Sequence, residues 1–322
     1  MNTTRVTDSP EEAHDWNTAD ASRRRSAGAP QLHDETLRDG LQNPSVVDPD
    51  IGTKIELLHA LVELGVDSVN VGLPGAGPRT FADTVRLCRE IGDNRLPIKA
   101  SCAGRTVVQD LAPMVEVTQQ TGVPIEAMTF IGSSPIRQLV ESWSVDLIRD
   151  RTVEAIRFAV REGMEVTYVT EDTTRTPPTT LEALFHAAID AGAYRLCLCD
   201  TVGHATPDGA HNLVSWTRRL IDAAGAEVGI DWHGHNDRGF ALLNTLSAFA
   251  AGADRLHGCL LGLGERVGNA PLELLILNLS LDGVLPERDR GALTRACEIV
   301  ADGMHAPVPL DHPLLGTAVG GA

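Results

Sequence analysis

"YRLCLCDTVGHATPDGAHNLVSWTRRLIDA", residues 194–223, contains one complete period of this chain. A short run in which Leu alternates with Cys (194–200) leads through a polar turn into a longer amphipathic segment (207–223), the pattern of a strand feeding a helix. Outward from this stretch the same alternation repeats until eight pairs are counted. The strand candidates are 31–37, 66–72, 97–102, 125–131, 164–170, 194–200, 228–234 and 254–261, with helical segments such as 52–64, 79–92 and 207–223 between them. Parallel strands with crossover helices imply an α/β sheet, and eight units in roughly 250 residues suit a closed (β/α)8 TIM barrel better than an open doubly wound sheet. The expected organisation is a disordered N-terminal arm over 1–30, a catalytic barrel over 31–282 and a short C-terminal helical extension over 283–322.

Composition excludes several functions. With 322 residues, 43% of them hydrophobic and 22% charged, the chain can bury a sizeable core. Its net charge of −17 argues against a nucleic-acid partner, because phosphate backbones are held by clustered Lys and Arg. The polar start has no apolar signal or membrane-spanning stretch, and six dispersed cysteines show no disulfide or paired metal-binding spacing, so a soluble protein of a reducing cytoplasm is expected. "DSVNVGLPGAGP" (67–78) carries glycines without dinucleotide-binding spacing, and Pro74 and Pro78 interrupt a helix start. The two lysines, Lys54 and Lys99, are read as a helix residue and a residue early in strand three, which disfavours Schiff-base chemistry.

In a barrel the C-terminal strand ends converge on one mouth, where chemistry is expected. Four polar clusters end four strands: Arg38-Asp39 after strand one, "TEDTTR" (170–175) after five, "CDTVGH" (199–204) after six and "DWHGHND" (231–237) after seven. His233 and His235, two apart in a strand, present two imidazoles on one face. Two histidines alone are more often scaffold, but with Asp39 from across the barrel they form a Lewis-acid site for a chelating oxygen substrate. Arg38 is either a partner for Asp39 or Glu35, or a guanidinium beside the metal that grips a carboxylate or steadies a developing oxyanion. Glu171 is the member of its charge cluster expected to face inward. His204 is a candidate proton carrier, with a surface histidine as the plain alternative. Cys197 and Cys199 read as a buried, inert pair.

"DETLRDGLQ" (34–42), "VTYVTEDTTRT" (166–176), "CDTVGHATP" (199–207), "HGHNDRGFALLNTLSAFAAGAD" (233–254) and "GLGERVGNAPLE" (262–273) resemble, in order, the isopropylmalate and homocitrate synthase branch of the DRE-TIM metallolyases. The resemblance spans about residues 31–316 of a pyruvate carboxyltransferase-like barrel. It implies a divalent ion (Mg, Mn or Zn) held by Asp39, His233 and His235, with Asn269 completing or approaching the site. Arg38, Gln42 and Thr201 would address a 2-oxo acid, and Arg38, Glu171 and His204 would carry the catalysis. The implied reaction is a Claisen-type acyl transfer from acetyl-CoA that yields an alkylmalate-type 2-hydroxy diacid and CoA.

"RDGLQN" (38–43) looks more like hydroxymethylglutaryl-CoA lyase, but such lyases carry a Gly-Gly-Cys flap where this chain has Gly264-Glu265-Arg266. Asn70 and His204 depart from the acidic residue and the Tyr that are common in synthases. The chain ends at "PLLGTAVGGA" (313–322), where synthases continue into a helical subdomain with a catalytic His and Tyr. Expectations therefore range over a compact synthase, one subunit of a split synthase whose partner chain supplies that subdomain, a lyase or aldolase-type cleavage enzyme, and a non-catalytic scaffold subunit. A homo-oligomer or hetero-oligomer is implied by the resemblance alone.

Overall fold

The computed structural model describes residues 28–316. Eight parallel strands close into a barrel in sequence order, β1 Gln31–Asp34, β2 Ser68–Asn70, β3 Lys99–Arg105, β4 Ile125–Gly132, β5 Val166–Glu171, β6 Arg195–Asp200, β7 Gly229–Gly234 and β8 Arg255–Gly258. Closure is made by β1 against β8, in a register that sets His33 beside His257. Around the strands lie α1 Ile51–Glu63, α2 Pro78–Asp93, α3 Val108–Thr121, α4 Pro135–Glu141, α5 Val145–Arg161, α6 Pro178–Ala191, α7 Pro207–Ala223, α8 Ala241–Ala251, α9 Leu272–Leu281 and α10 Arg290–Gly303. The expected eight-unit barrel is thus the observed one.

Period-two alternation explains where the core sits. On β6, Leu196 and Leu198 are fully buried beneath the helices while Cys197 and Cys199 face the barrel cavity. Each such leucine contributes about 1.5–3 kcal/mol. Trp232 on β7 and Leu256 on β8 pack outward in the same way, leaving Asp231, His233 and His257 to the interior. Helix starts follow from side-chain caps: Asp50 accepts the Thr53 N–H at 3.1 Å before α1, and Thr206 accepts the Gly209 N–H at 3.1 Å before α7.

Strand one is shorter than its expected span of 31–37. Asp34 accepts the Thr36 N–H at 3.0 Å and the Thr36 hydroxyl at 2.6 Å, so the chain turns at once. Arg38 and Asp39 accordingly sit in a turn after β1 rather than on its end, and a 3-10 segment Gly40–Gln42 follows.

The expected extension beyond residue 282 contains α10 among the described residues; its Leu293, Ala296, Cys297 and Val300 are buried. The expected arm over 1–30 lies outside the described residues except for its last three. Among the described residues no helix is long and apolar enough to cross a membrane.

Candidate active site at the barrel mouth

The turn after β1 and the HxH end of β7 meet at a cavity of about 200 Å³. Asp39, 1% exposed, places Oδ2 3.1 Å from His233 Nε2 and 3.5 Å from His235 Nε2, and the two Nε2 atoms are 3.3 Å apart. Its Oδ1 accepts the Glu265 N–H at 3.0 Å, and its Oδ2 accepts from Asn269 Nδ2 at 3.0 Å. Burial opposes the charge of Asp39, but Arg38 and then His233 and His235 outweigh it and hold the carboxyl well below its usual range. Burial, reinforced by His233, pushes His235 down to about 4. For His233 burial acts downward, yet the Asp39 hydrogen bond and charge leave it raised.

These residues fit a divalent ion. Two imidazole nitrogens and a carboxylate oxygen lie within bonding reach of one common centre. The Asn269 Oδ1 is buried with no hydrogen-bond partner, as is His235 Nδ1. Asn269 approaches through its Nδ2, which also reaches the Leu263 carbonyl at 3.1 Å. Gly264 is required beside it: at φ +145°, a Cβ there would lie 2.1 Å from Asn269 Nδ2.

Arg38 is aimed by a residue treated above only as a possible partner. Its Nε donates to Glu35 Oε2 at 2.7 Å, and its Nη1 lies 3.8 Å from Asp39 Oδ2. Glu35 is buried; burial raises its pKa, but Arg38 and then His33 overcome this and hold it well below normal. Gln42 and Thr201 line the same cavity, Gln42 from the exposed rim. The Thr201 hydroxyl oxygen accepts the Asp172 N–H at 2.8 Å, which leaves its own proton to donate. Glu171 ends β5 half-buried, 3.4 Å from Arg137 Nε, and burial raises its carboxyl against the pull of that arginine.

His204 is not brought to this cavity. It is exposed, and it lines a neighbouring hollow with Leu213, Trp216 and Arg238. Its N–H donates to Asp200 Oδ1 at 2.8 Å and its carbonyl accepts from Arg238 at 2.8 Å, which fix the loop backbone outside the barrel. Cys197 and Cys199 are buried as expected but line the cavity, with sulfurs 3.9 Å apart.

Sequence reasoning missed a charged floor. Arg255 donates to both oxygens of Glu126 at 2.8 and 2.5 Å and, through Nε, to Asp231 Oδ2 at 2.8 Å. Arg195 donates to Asp231 Oδ1 at 2.6 Å, and His257 Nε2 lies 3.2 Å from Asp231 Oδ2. Part of the signal was present as groups spaced two apart, Asp231 and His233 in "IDWHG" and Arg255 and His257 in "RLHG", on the register that faces inward, with Arg195 two before the inward Cys197 in "RLCLCD".

The HMGL-like family profile matches residues 29–300. The 2-isopropylmalate synthase of Sulfolobus acidocaldarius is 34% identical over 89% of this chain and 71% of its own length. That of Pyrococcus furiosus is 32% identical over 89% of this chain and 57% of its own length. Homocitrate synthase AksA of Methanocaldococcus jannaschii is 33% identical, over 89% of this chain and 68% of its own length. The chain thus spans between about half and three quarters of these curated relatives. Among solved structures, the hydroxymethylglutaryl-CoA lyase of Pseudomonas aeruginosa superposes with a TM-score of 0.74 at 19% identity, covering 91% of this chain and 98% of that one; this is a likeness of fold. Matched by the family profile over most of its length and by relatives above 30% identity, this chain belongs to the HMGL-like family.

Proposed function

We propose that this chain, alone or with a partner chain, joins the α-carbon of an acyl-CoA, acetyl-CoA in the simplest case, to the keto carbon of a 2-oxo acid. The new C–C bond turns the keto group into an alkoxide that takes up a proton, giving a 2-hydroxy acid that still carries the CoA thioester, and water then cleaves the thioester to a carboxylate and the CoA thiol. The names carried by the relatives support the reaction class. Asp39, His233 and His235 would hold the divalent ion, with Asn269 alongside. When bound, the ion supplies Lewis-acid polarisation of a keto oxygen.

The chain's own groups do the rest. Arg38, held by Glu35, sets a fixed cation where negative charge develops on oxygen, and no reorganisation is needed at the moment of reaction. Thr201 and Gln42 orient the oxo acid by hydrogen bonds. Leu73, Ala103, Met128, Phe130 and Val169 form an apolar wall that limits water beside the reacting carbons. Glu171, with its raised carboxyl facing the cavity, accepts the acyl-CoA α-proton. His204, outside the cavity, takes no part.

The observation that carries this reading is the convergence of Asp39, His233 and His235 beside Arg38. The test is thiol release from acetyl-CoA with a panel of 2-oxo acids and added divalent metal, with Asp39→Ala as control. Release that needs both the metal and one oxo acid, and that is lost in the variant, is expected. Silence with every acid while metal is bound places the activity in a complex with a second chain. Equal metal binding by wild type and Asp39→Ala refutes the site.

A further inference from the structure

We infer that His33, Glu35 and His257 form a second cation site, for a divalent ion of the zinc class, in the floor of the same cavity. None of these residues belongs to the Asp39, His233 and His235 set. The inference is independent of the reaction proposed above.

The geometry is that of a three-ligand centre. Glu35 Oε1 lies 3.2 Å from His33 Nε2 and 3.6 Å from His257 Nδ1, and all three donor atoms fall within 4.8 Å of one another. Ligands bound at about 2.0–2.1 Å around a tetrahedral ion stand roughly 3.4 Å apart, so the observed spacings admit one. All three side chains are buried, and Glu35 and His257 reach the cavity, which gives an ion a way in.

Hydrogen bonding leaves a vacancy for a cation. Asp231, paired with Arg195 and Arg255, is an ionised acceptor, so His257 puts its ring proton on Nε2 toward that carboxylate. His257 Nδ1 is then a bare lone pair, and it has no hydrogen-bond partner. It faces Glu35 Oε1, another acceptor, which also takes a long hydrogen bond from Asn70 Nδ2 at 3.4 Å. On the other side, His33 Nδ1 is 2.7 Å from the Ser68 hydroxyl, which can take the ring proton and free Nε2 as a ligand. A carboxylate behind one imidazole and a hydroxyl behind the other are the outer contacts that orient metal-binding histidines. Two imidazoles and one carboxylate select borderline ions such as zinc or cobalt over magnesium or calcium, which prefer oxygen ligands. Glu35 uses its other oxygen, Oε2, for Arg38, so its carboxylate stands between the ion and the guanidinium.

The alternative is a proton shared by His33 and Glu35, with His257 Nδ1 left unsatisfied at a cost of about 1–3 kcal/mol. Metal counting separates the two. The full chain is stripped with chelator, loaded with Zn²⁺ or Co²⁺, gel-filtered and assayed for bound ion by mass spectrometry. Two ions per chain are expected in wild type, and one each in Asp39→Ala and in His257→Ala. Cobalt in Asp39→Ala should show visible ligand-field bands that vanish in the Asp39→Ala, His257→Ala double variant. One ion per wild-type chain that is lost in Asp39→Ala and retained in His257→Ala overturns the inference. Two ions retained in both His257→Ala and His33→Ala, with unchanged circular dichroism, overturn it as well.

Discussion

Replacing Arg255 with Met should destabilise the barrel sharply, and more so at alkaline pH. The guanidinium is 2% exposed and makes four hydrogen bonds of 2.5–2.8 Å to Glu126 and Asp231. Asp231 keeps Arg195 and His257 when Arg255 is lost, but Glu126 keeps only the Thr167 hydroxyl at 2.6 Å. An uncompensated buried carboxylate of this kind costs about 3–5 kcal/mol. Unfolding entropy of about 2.1 cal/mol/K per residue makes 1 kcal/mol worth roughly 1.5 °C in a chain of this size, so the midpoint should fall by about 5–8 °C. In wild type, burial pushes Glu126 upward but Arg255 overrides it and brings the carboxyl down to about 2. Without Arg255, burial and the neighbouring Asp231 charge push the Glu126 carboxyl up against the weaker pull of His33, so Glu126 takes up a proton as the pH falls and the deficit of the variant shrinks from pH 8 to pH 5. Glu126→Gln combined with Arg255→Met should recover part of the loss, because no charge is then stranded. Scanning calorimetry at the two pH values measures all three. A midpoint within about 1 °C of wild type at pH 8, the scale of an ordinary surface change, would refute the desolvated network.

His204→Ala should leave kcat/KM for CoA release within about twofold, whereas loss of a true proton carrier costs about 10²–10⁴-fold; steady-state kinetics decide it. Asp34 is pushed up to about 7, by burial against the two Thr36 hydrogen bonds, so between pH 7 and 4 the folded chain binds this proton when the unfolded chain does not. The stabilisation is complete below the unfolded pKa and is lost as pH rises through 7. The midpoint of wild type relative to Asp34→Asn should therefore rise on acidification by an amount equivalent to roughly 1.4 kcal/mol per pH unit, read by thermal melts across that range. All six cysteines are buried, and burial pushes Cys88, for one, up to about 12. A thiol reagent at pH 7 should accordingly label none of them in the native chain and all of them after denaturation.

Strand count and order were legible because period-two runs such as "RLCLCD" are bracketed by helices with clear starts, "TP" at 206–207 among them. The convergence of Asp39, His233 and His235 was legible because these residue types cluster where strands one and seven run out, Asp39 in the turn after β1 and His235 just past β7. Arg38 was found, but the residue that aims it was not singled out: Glu35 sits in a turn set by the Asp34–Thr36 contacts, which periodicity does not reveal. His204 was drawn in by its position after strand six, yet the backbone bonds to Asp200 and Arg238 carry it over the rim. Glu126, Asp231, Arg255 and His257 were passed over because charged residues inside strands are read as exceptions to burial. Only closure of the sheet shows that three strands bring them together, with Arg195 from a fourth, as compensating pairs.

The contact between the Asp39 carboxylate and the Glu265 backbone, 226 residues apart in the chain, also has a temporal meaning. During synthesis Asp39 emerges early, but the loop that holds its oxygens is among the last barrel segments to leave the ribosome, at about 5–20 residues per second. Until then Asp39 lacks both the Glu265 N–H and Asn269, and the sheet has no β8 to close on β1. Under the proposed function, metal capture is therefore a finishing event in biogenesis: a chain truncated before residue 260 should acquire no ion at this centre however well its earlier β/α units have formed.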